Sequence, residues 1–286
     1  MSGPRRETVN QAAIPDLRIV ETRDLLPHEE HDAQRSGPLL ERLRTADTWL
    51  NPPIVAPIHD TGKYVVLDGA NRHHCLSALG YPHILVQVVN YDSDAVILET
   101  WHHAVRALDI AQFLPKLYEV EGVEVGESSL LNARAGLASR ELLGYVIMRD
   151  RRVFTFRQVN PAVSRTTLLR RVVDTYRNRA QISRIAHEEF GQVEQNYPDV
   201  LALVVFPHYQ PAEIMVAARD GDLLPPGITR HIIHGRALRL NYPLEQLKYD
   251  TISLEEKNRA LQDWVRERLV AKRVRFYAEP TVVFDE

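Results

Sequence analysis

Short apolar runs broken by polar turns recur along this chain, and their spacing alternates between two residues and three to four. The stretches Leu17–Glu21, Pro53–Ile58, Lys63–Leu67 and Ile84–Val89 predict strands, the middle two joined as a hairpin around Asp60-Thr-Gly62. Further on, Leu143–Met148 and Arg152–Phe156 predict a second hairpin around Arg149-Asp-Arg151, and Leu201–Phe206 a buried strand. Helical spacing places Leu39, Leu40 and Leu43 on one face of a helix expected from about Pro38, where proline suits the first turn. It also groups Leu168, Leu169, Val172, Val173 and Tyr176 behind the cap Ser164. The capping box Ser253-Leu-Glu-Glu256 opens a last helix carrying Leu261, Trp264, Val265 and Leu269. Residues 1–16 form an expected loose tail, and Leu25–Asp32 an expected polar loop. The whole predicts an α/β protein with a boundary near residues 102–110, giving a unit over 17–105 and a second over 106–286.

Composition narrows the classes. The chain has 286 residues, 44% of them hydrophobic, which suits a full core rather than disorder. A net charge of −3 argues against a general nucleic-acid binder, whose affinity depends on neutralising phosphates. The single cysteine, Cys75, allows no internal disulfide. No apolar run reaches the roughly 18 residues of a membrane span, and the first residues lack an apolar signal core. A soluble, cytoplasmic location is expected; the oligomeric state is left open.

Four stretches carry candidate chemistry. In Leu67-Asp-Gly-Ala-Asn-Arg-His73 a strand runs into Asp68-Gly69 and a helix begins at once. Gly69 permits a tight turn and close approach of a ligand. The helix start offers unpaired N–H groups and the positive dipole end, where phosphates bind. Asp68 can hold a cation or hydroxyl beside them, and Arg72 adds a fixed fork of donors. An ordinary βα junction would look the same. In Pro27-His-Glu-Glu30, a glutamate can orient a hydroxyl and take its proton; a solvated acidic loop is the plainer alternative. His28 and His31 lack the spacing of a zinc helix. In Glu99-Thr-Trp101-His-His103, the tryptophan can wall a small pocket, while adjacent histidines diverge and make a poor ligand pair. In Pro225-Pro-Gly-Ile-Thr229-Arg-His231, hydroxyl, guanidinium and imidazole suit a carboxylate or phosphate. On a strand beginning there, Thr229 and His231 would share a face and Arg230 would oppose them.

The Asp-Gly-Ala-Asn-Arg segment, the strand before it, and Ala78-Leu-Gly-Tyr-Pro82 with the strand after it resemble the core of the ParB/sulfiredoxin superfamily over residues 17 to 101. All four stretches together, with Arg236-Ala-Leu-Arg-Leu-Asn-Tyr-Pro-Leu244, resemble the free L-serine kinases over about residues 17 to 250. The resemblance implies a ParB/sulfiredoxin-like N-terminal core, a second α/β domain and an active site between them. It implies transfer of a phosphoryl group from ATP or ADP to free L-serine, giving O-phospho-L-serine for cysteine or siderophore-precursor synthesis, with Mg2+. By position, Glu29 matches the catalytic base, and Asp68 the aspartate at the hydroxyl and metal. Gly69, Ala70, Asn71 and Arg72 match the phosphate turn, Trp101 the substrate pocket, and Thr229, Arg230 and His231 the end that takes the substrate carboxylate. Asn71 stands where many members carry histidine, and His73 is positioned to compensate. The rivals are a ParB-type nucleotide-binding DNA regulator, a sulfiredoxin-like reductase and a small-effector or haem sensor. The reductase needs a cysteine in the phosphate turn, whereas Cys75 lies farther into the helix.

Overall fold

A computed structural model describes residues 14–277 and holds two large sheets, each with helices packed on both faces, and two two-stranded ribbons. The tail expected over 1–16 lies mostly outside the described residues.

The first sheet has the order β1-β6-β4-β5-β2. It comprises β1 (Asp16–Glu21), β2 (Leu25–Pro27), β4 (Ile54–Ile58), β5 (Lys63–Asp68) and β6 (His83–Val88). Helix α1 (Ala33–Thr45) and the short β3 (Thr48–Trp49) lie between β2 and β4, and α2 (Ala70–Ala78) follows β5 directly. Strand alternation sorts the core. Val66 joins Val55, Ile84, Cys75 and Leu76 on one face, while Val65 and Leu67 join Ile54 and Ala56 on the other. The second face is covered by a ribbon of β7 (Val96–Thr100), which pairs antiparallel with a strand from far downstream.

The second sheet has six strands. In chain order they are β8 (His102–Arg106), β9 (Val123–Ser128), β10 (Leu142–Met148), β11 (Val153–Gln158), β12 (Gln181–Ile185) and β13 (Val200–Val205). Helices α3 (Ile110–Tyr118) and α5 (Arg165–Asp174) bury Phe113, Leu117, Leu168 and Val172 against Val146 and Met148. Helices α4 (Leu130–Ala138) and α6 (Phe190–Asn196) bury Ala133, Leu137 and Val193 against Tyr145 and Ile147. Alternate residues of one strand thus feed two cores.

The chain then returns to the first sheet. Helix α7 (Pro211–Asp220) packs Ile214 and Ala218 beside Val65 and Leu67, and β14 (Thr229–Ile233) completes the ribbon with β7. The short β15 (Tyr242–Pro243) pairs with β3. After α8 (Glu245–Lys248), helix α9 (Leu254–Val270) lays Leu261 into the core of Ile19 and Leu85.

Two local expectations are corrected. Helix α1 begins at Ala33, not near Pro38, because Asp32 caps it through the Gln34 N–H at 3.0 Å. Pro38 therefore sits inside the helix and leaves one ladder bond unmade. The segment from Leu25 is not loop throughout: Leu25–Pro27 pairs parallel with β5, which satisfies its backbone at the sheet edge. Among the described residues no helix is long and apolar enough to cross a membrane.

Candidate active site

Strand β2 delivers His28, Glu29 and Glu30 to the seam between the two sheets. The backbone there is pinned by Leu224, whose N–H donates to the His28 carbonyl at 2.8 Å and whose carbonyl takes the Glu30 N–H at 2.9 Å. Glu29 is then held by uncharged donors. The Gly227 N–H reaches Oε2 at 2.9 Å, the Thr229 N–H reaches Oε1 at 2.6 Å, and the Thr229 hydroxyl also meets Oε1. No lysine or arginine forms an ion pair with Glu29 among the described residues.

The Thr229 hydroxyl has a second claimant. His28 Nδ1 faces the Val66 carbonyl at 2.6 Å, and a carbonyl only accepts, so Nδ1 carries the ring proton. Nε2 of the neutral ring is then an acceptor, 2.7 Å from the Thr229 hydroxyl. His28 is buried, and burial lowers its pKa against the opposing pull of Glu29. One hydroxyl proton therefore serves two acceptors. His231, on the same face of β14, meets the Tyr91 hydroxyl through Nε2 at 2.8 Å, and burial pushes its pKa down to about 3. Its buried Nδ1 makes no well-formed hydrogen bond among the described residues, and the Leu67 carbonyl is the backbone group nearest in effect.

Asp68 closes the other side. Burial raises its pKa, but Arg72 and Arg236 outweigh that and hold the carboxyl below the ordinary range. Arg72 reaches Oδ2 at 3.0 Å, and Arg236 shares the same oxygen. Arg72 also donates to the carbonyls of Asn51 at 2.8 Å and Pro52 at 3.1 Å, so it braces the turn as well. Gly69 adopts φ 100°, and a Cβ there would lie 3.0 Å from Arg72 Nη2 and from Pro53 Cα. Only glycine allows that approach without displacing backbone. The first N–H groups of α2 are left without helical acceptors.

A cavity of about 900 Å³ opens beside Glu29 and the first turn of α2, and Asp68, Arg72, Thr229 and Arg236 do not line it. Glu29, Ala70 and His73 line it, together with Glu30, His31, Arg35, His74, His103, Arg177 and Arg184. Asn71 turns its side-chain carbonyl to the Asp32 N–H at 2.8 Å, and His73 donates from Nε2 to the Thr22 carbonyl at 3.1 Å. Both brace the turn.

The expected trio of Thr229, Arg230 and His231 is not gathered into one cluster. Strand β14 starts at Thr229, so alternation buries Thr229 and His231 and turns Arg230 to the opposite face. There Arg230 pairs with Glu99 at 2.9 Å and lies 4.5 Å over the Trp101 ring. Trp101 thus belongs with Arg230. Sequence reasoning missed Arg35, Arg177, Arg184 and the stacked pair His31–His74, whose rings are 3.6 Å apart. Nothing local marks them; long-range packing brings them to the cavity.

No family model matches the chain. An ATP-dependent L-serine kinase of Staphylothermus marinus is 23% identical over 232 residues, covering 80% of this chain and 90% of the relative. An ADP-dependent L-serine kinase, SerK, of Thermococcus kodakarensis is 22% identical over 254 residues, covering 84% and 98%. A solved free serine kinase in complex with AMP superposes with a TM-score of 0.72 at 18% identity, covering 82% of this chain and 95% of that one. The motif resemblance and these matches agree: this chain is similar in sequence to L-serine kinases and has the fold of a solved free serine kinase.

Proposed function

We propose that the protein is a kinase for free L-serine, with Glu29 as the proton acceptor. The observation that carries this role is the shared Thr229 proton. While Glu29 is ionised, it and His28 compete for one hydroxyl hydrogen. Once Glu29 takes a proton, its claim weakens and the hydroxyl turns to His28. The network is relieved by the very change that a general base undergoes.

The reaction balances simply. The serine hydroxyl oxygen bonds to the terminal phosphorus of the nucleotide, and the bond from that phosphorus to its bridging oxygen breaks. The hydroxyl proton goes to Glu29, and the shortened nucleotide leaves with the bridging electrons. The Gly69–Arg72 turn holds donor phosphates on the first N–H groups of α2. Serine lies beside Asp68, where Arg236 presents a guanidinium to its carboxylate. Trp101 and Arg230 enter only as an outer wall, since the ribbon turns them from Thr229 and His231.

A divalent ion fits one arrangement. No three His, Cys, Asp or Glu side chains among the described residues form a cage, and Asp68 Oδ2 is taken by arginines. Oδ1 of Asp68 remains for an ion held mainly by phosphates and water, the usual habit of Mg2+. Such an ion would offset charge on the transferring group.

An amino-acid panel with ATP and with ADP, followed by 31P NMR, tests the proposal. A new phosphomonoester with free serine is expected, with serine peptides poor. No phosphoserine with either donor would refute it.

A further inference from the structure

Three arginines line the cavity, Arg35, Arg177 and Arg184, and further arginines stand near the two carboxylates. Arg170 and Arg177 bind Glu30, and Arg72 and Arg236 bind Asp68. Arg35, and Arg184 of β12, are not bound in this way, and of the two Arg184 is seated against the Gly227 peptide that holds Glu29. It lines the cavity with Glu29 and Ala70, and it forms no hydrogen bond or ion pair among the described residues. Its guanidinium lies against Gly227, where a Cβ would come within 2.6 Å of Nη2 and 2.7 Å of Cζ. The absence of a side chain at Gly227 makes the room for it.

The Gly227 peptide is itself fixed. Its N–H goes to Glu29 at 2.9 Å, and its carbonyl takes a hydrogen bond from His103 Nε2 at 3.2 Å. Arg184 is thus seated one peptide away from the base. Its side chain is exposed to the cavity; partial burial lowers its pKa, Glu29, Asp32 and Asp68 draw it without closing a pair, and Arg35 repels it. A guanidinium with no ion-pair partner among the described residues, facing the cavity, suits an incoming anion.

We propose that Arg184 grips the phosphoryl group in transit, across the cavity from the first turn of α2. This rests on the kinase reading above. As the bond to the bridging oxygen breaks, charge spreads over the equatorial and bridging oxygens. The fork of Arg184 donates to them while Glu29, beside it, takes the hydroxyl proton. Binding strongest in transit raises kcat rather than nucleotide affinity.

The test compares wild type, Arg184→Ala and Arg184→Lys for phosphoserine formation, with AMP and ADP binding by calorimetry. Arg184→Ala is expected to lower kcat about 1,000-fold, as for other charge-stabilising arginines, with AMP affinity within about threefold of wild type. Arg184→Lys should recover only part, because an ammonium cannot donate as a fork. Free guanidinium should partly rescue the alanine variant. The melting temperature should hold, since the side chain makes no structural bond. An Arg184→Ala enzyme within about fivefold of wild-type kcat, or a loss confined to KM for serine, overturns the inference and leaves the kinase reading standing. A wild type that makes no phosphoserine removes both.

Discussion

Glu29 and Glu30 are neighbours in the chain and live in opposite electrostatic settings. Glu29 is cradled by two backbone N–H groups and a hydroxyl. Glu30 is clamped by Arg177 at 2.5 Å and Arg170 at 3.4 Å, and Arg170 reaches on to Asp222. The uncharged cradle positions the Glu29 carboxylate with no arginine or lysine pair among the described residues. The arginine clamp spends the Glu30 charge on tying the β2 segment to α5 and the turn after it. The same side chain becomes a reagent or a rivet according to its partners.

Acid should attack the uncharged side first. Burial holds His102 at about 4, and His103 and His231 at about 3, whereas unfolded histidine titrates near 6.5. Between those values the unfolded chain binds more protons, so stability falls as pH falls through that window. Each group contributes up to about 1.4 kcal/mol per pH unit. Thermal melts from pH 8 to pH 5 should decline below about 6.5; equal melting at both ends would show that these rings are open to water.

Exchanging the two carboxylates sharpens the contrast. Glu29→Gln should lower kcat by at least about 100-fold with nucleotide affinity unchanged. Glu30→Gln should spare most of the turnover and lower stability by about 1–2 kcal/mol. The reverse pattern in steady-state kinetics and melts would swap their roles.

Thr229 joins the base to His28, so Thr229→Val should lower kcat about tenfold, with Thr229→Ser close to wild type. Unchanged turnover in the valine variant would show that the hydroxyl only fills space.

The smallest effect separates Arg236, just past β14, from Arg230 on it. Arg236→Ala should raise the serine KM about fivefold, the upper range for an exposed charge pair, and Arg230→Ala less. The opposite order would return carboxylate recognition to the face of Trp101 and Glu99.

Much of this was legible residue by residue. The αL glycine at Gly69, the capping box at Ser253, the Ser164 cap and the hairpin of β10 and β11 follow from local chemistry, and each stands in the structure. Pro38 misled because proline marks a helix start only when no better cap precedes it, and Asp32 does. Alternation along Thr229–His231 was readable from the sequence, but its consequence, a divided cluster, needed the strand's true start.

The sequence by itself determined the α/β pattern, the strand–Asp-Gly–helix turn and the membership of Glu29 and Asp68 in one set of motifs, because these depend on neighbours within a few residues. Only the tertiary structure decided that Glu29 would be cradled by Gly227 and Thr229, Glu30 clamped by Arg170 and Arg177, and Arg184 brought to the cavity beside them. Those partners lie more than a hundred residues away along the chain. A side chain's charge environment is set by what packs against it, and packing across such distances leaves no periodic trace in the sequence.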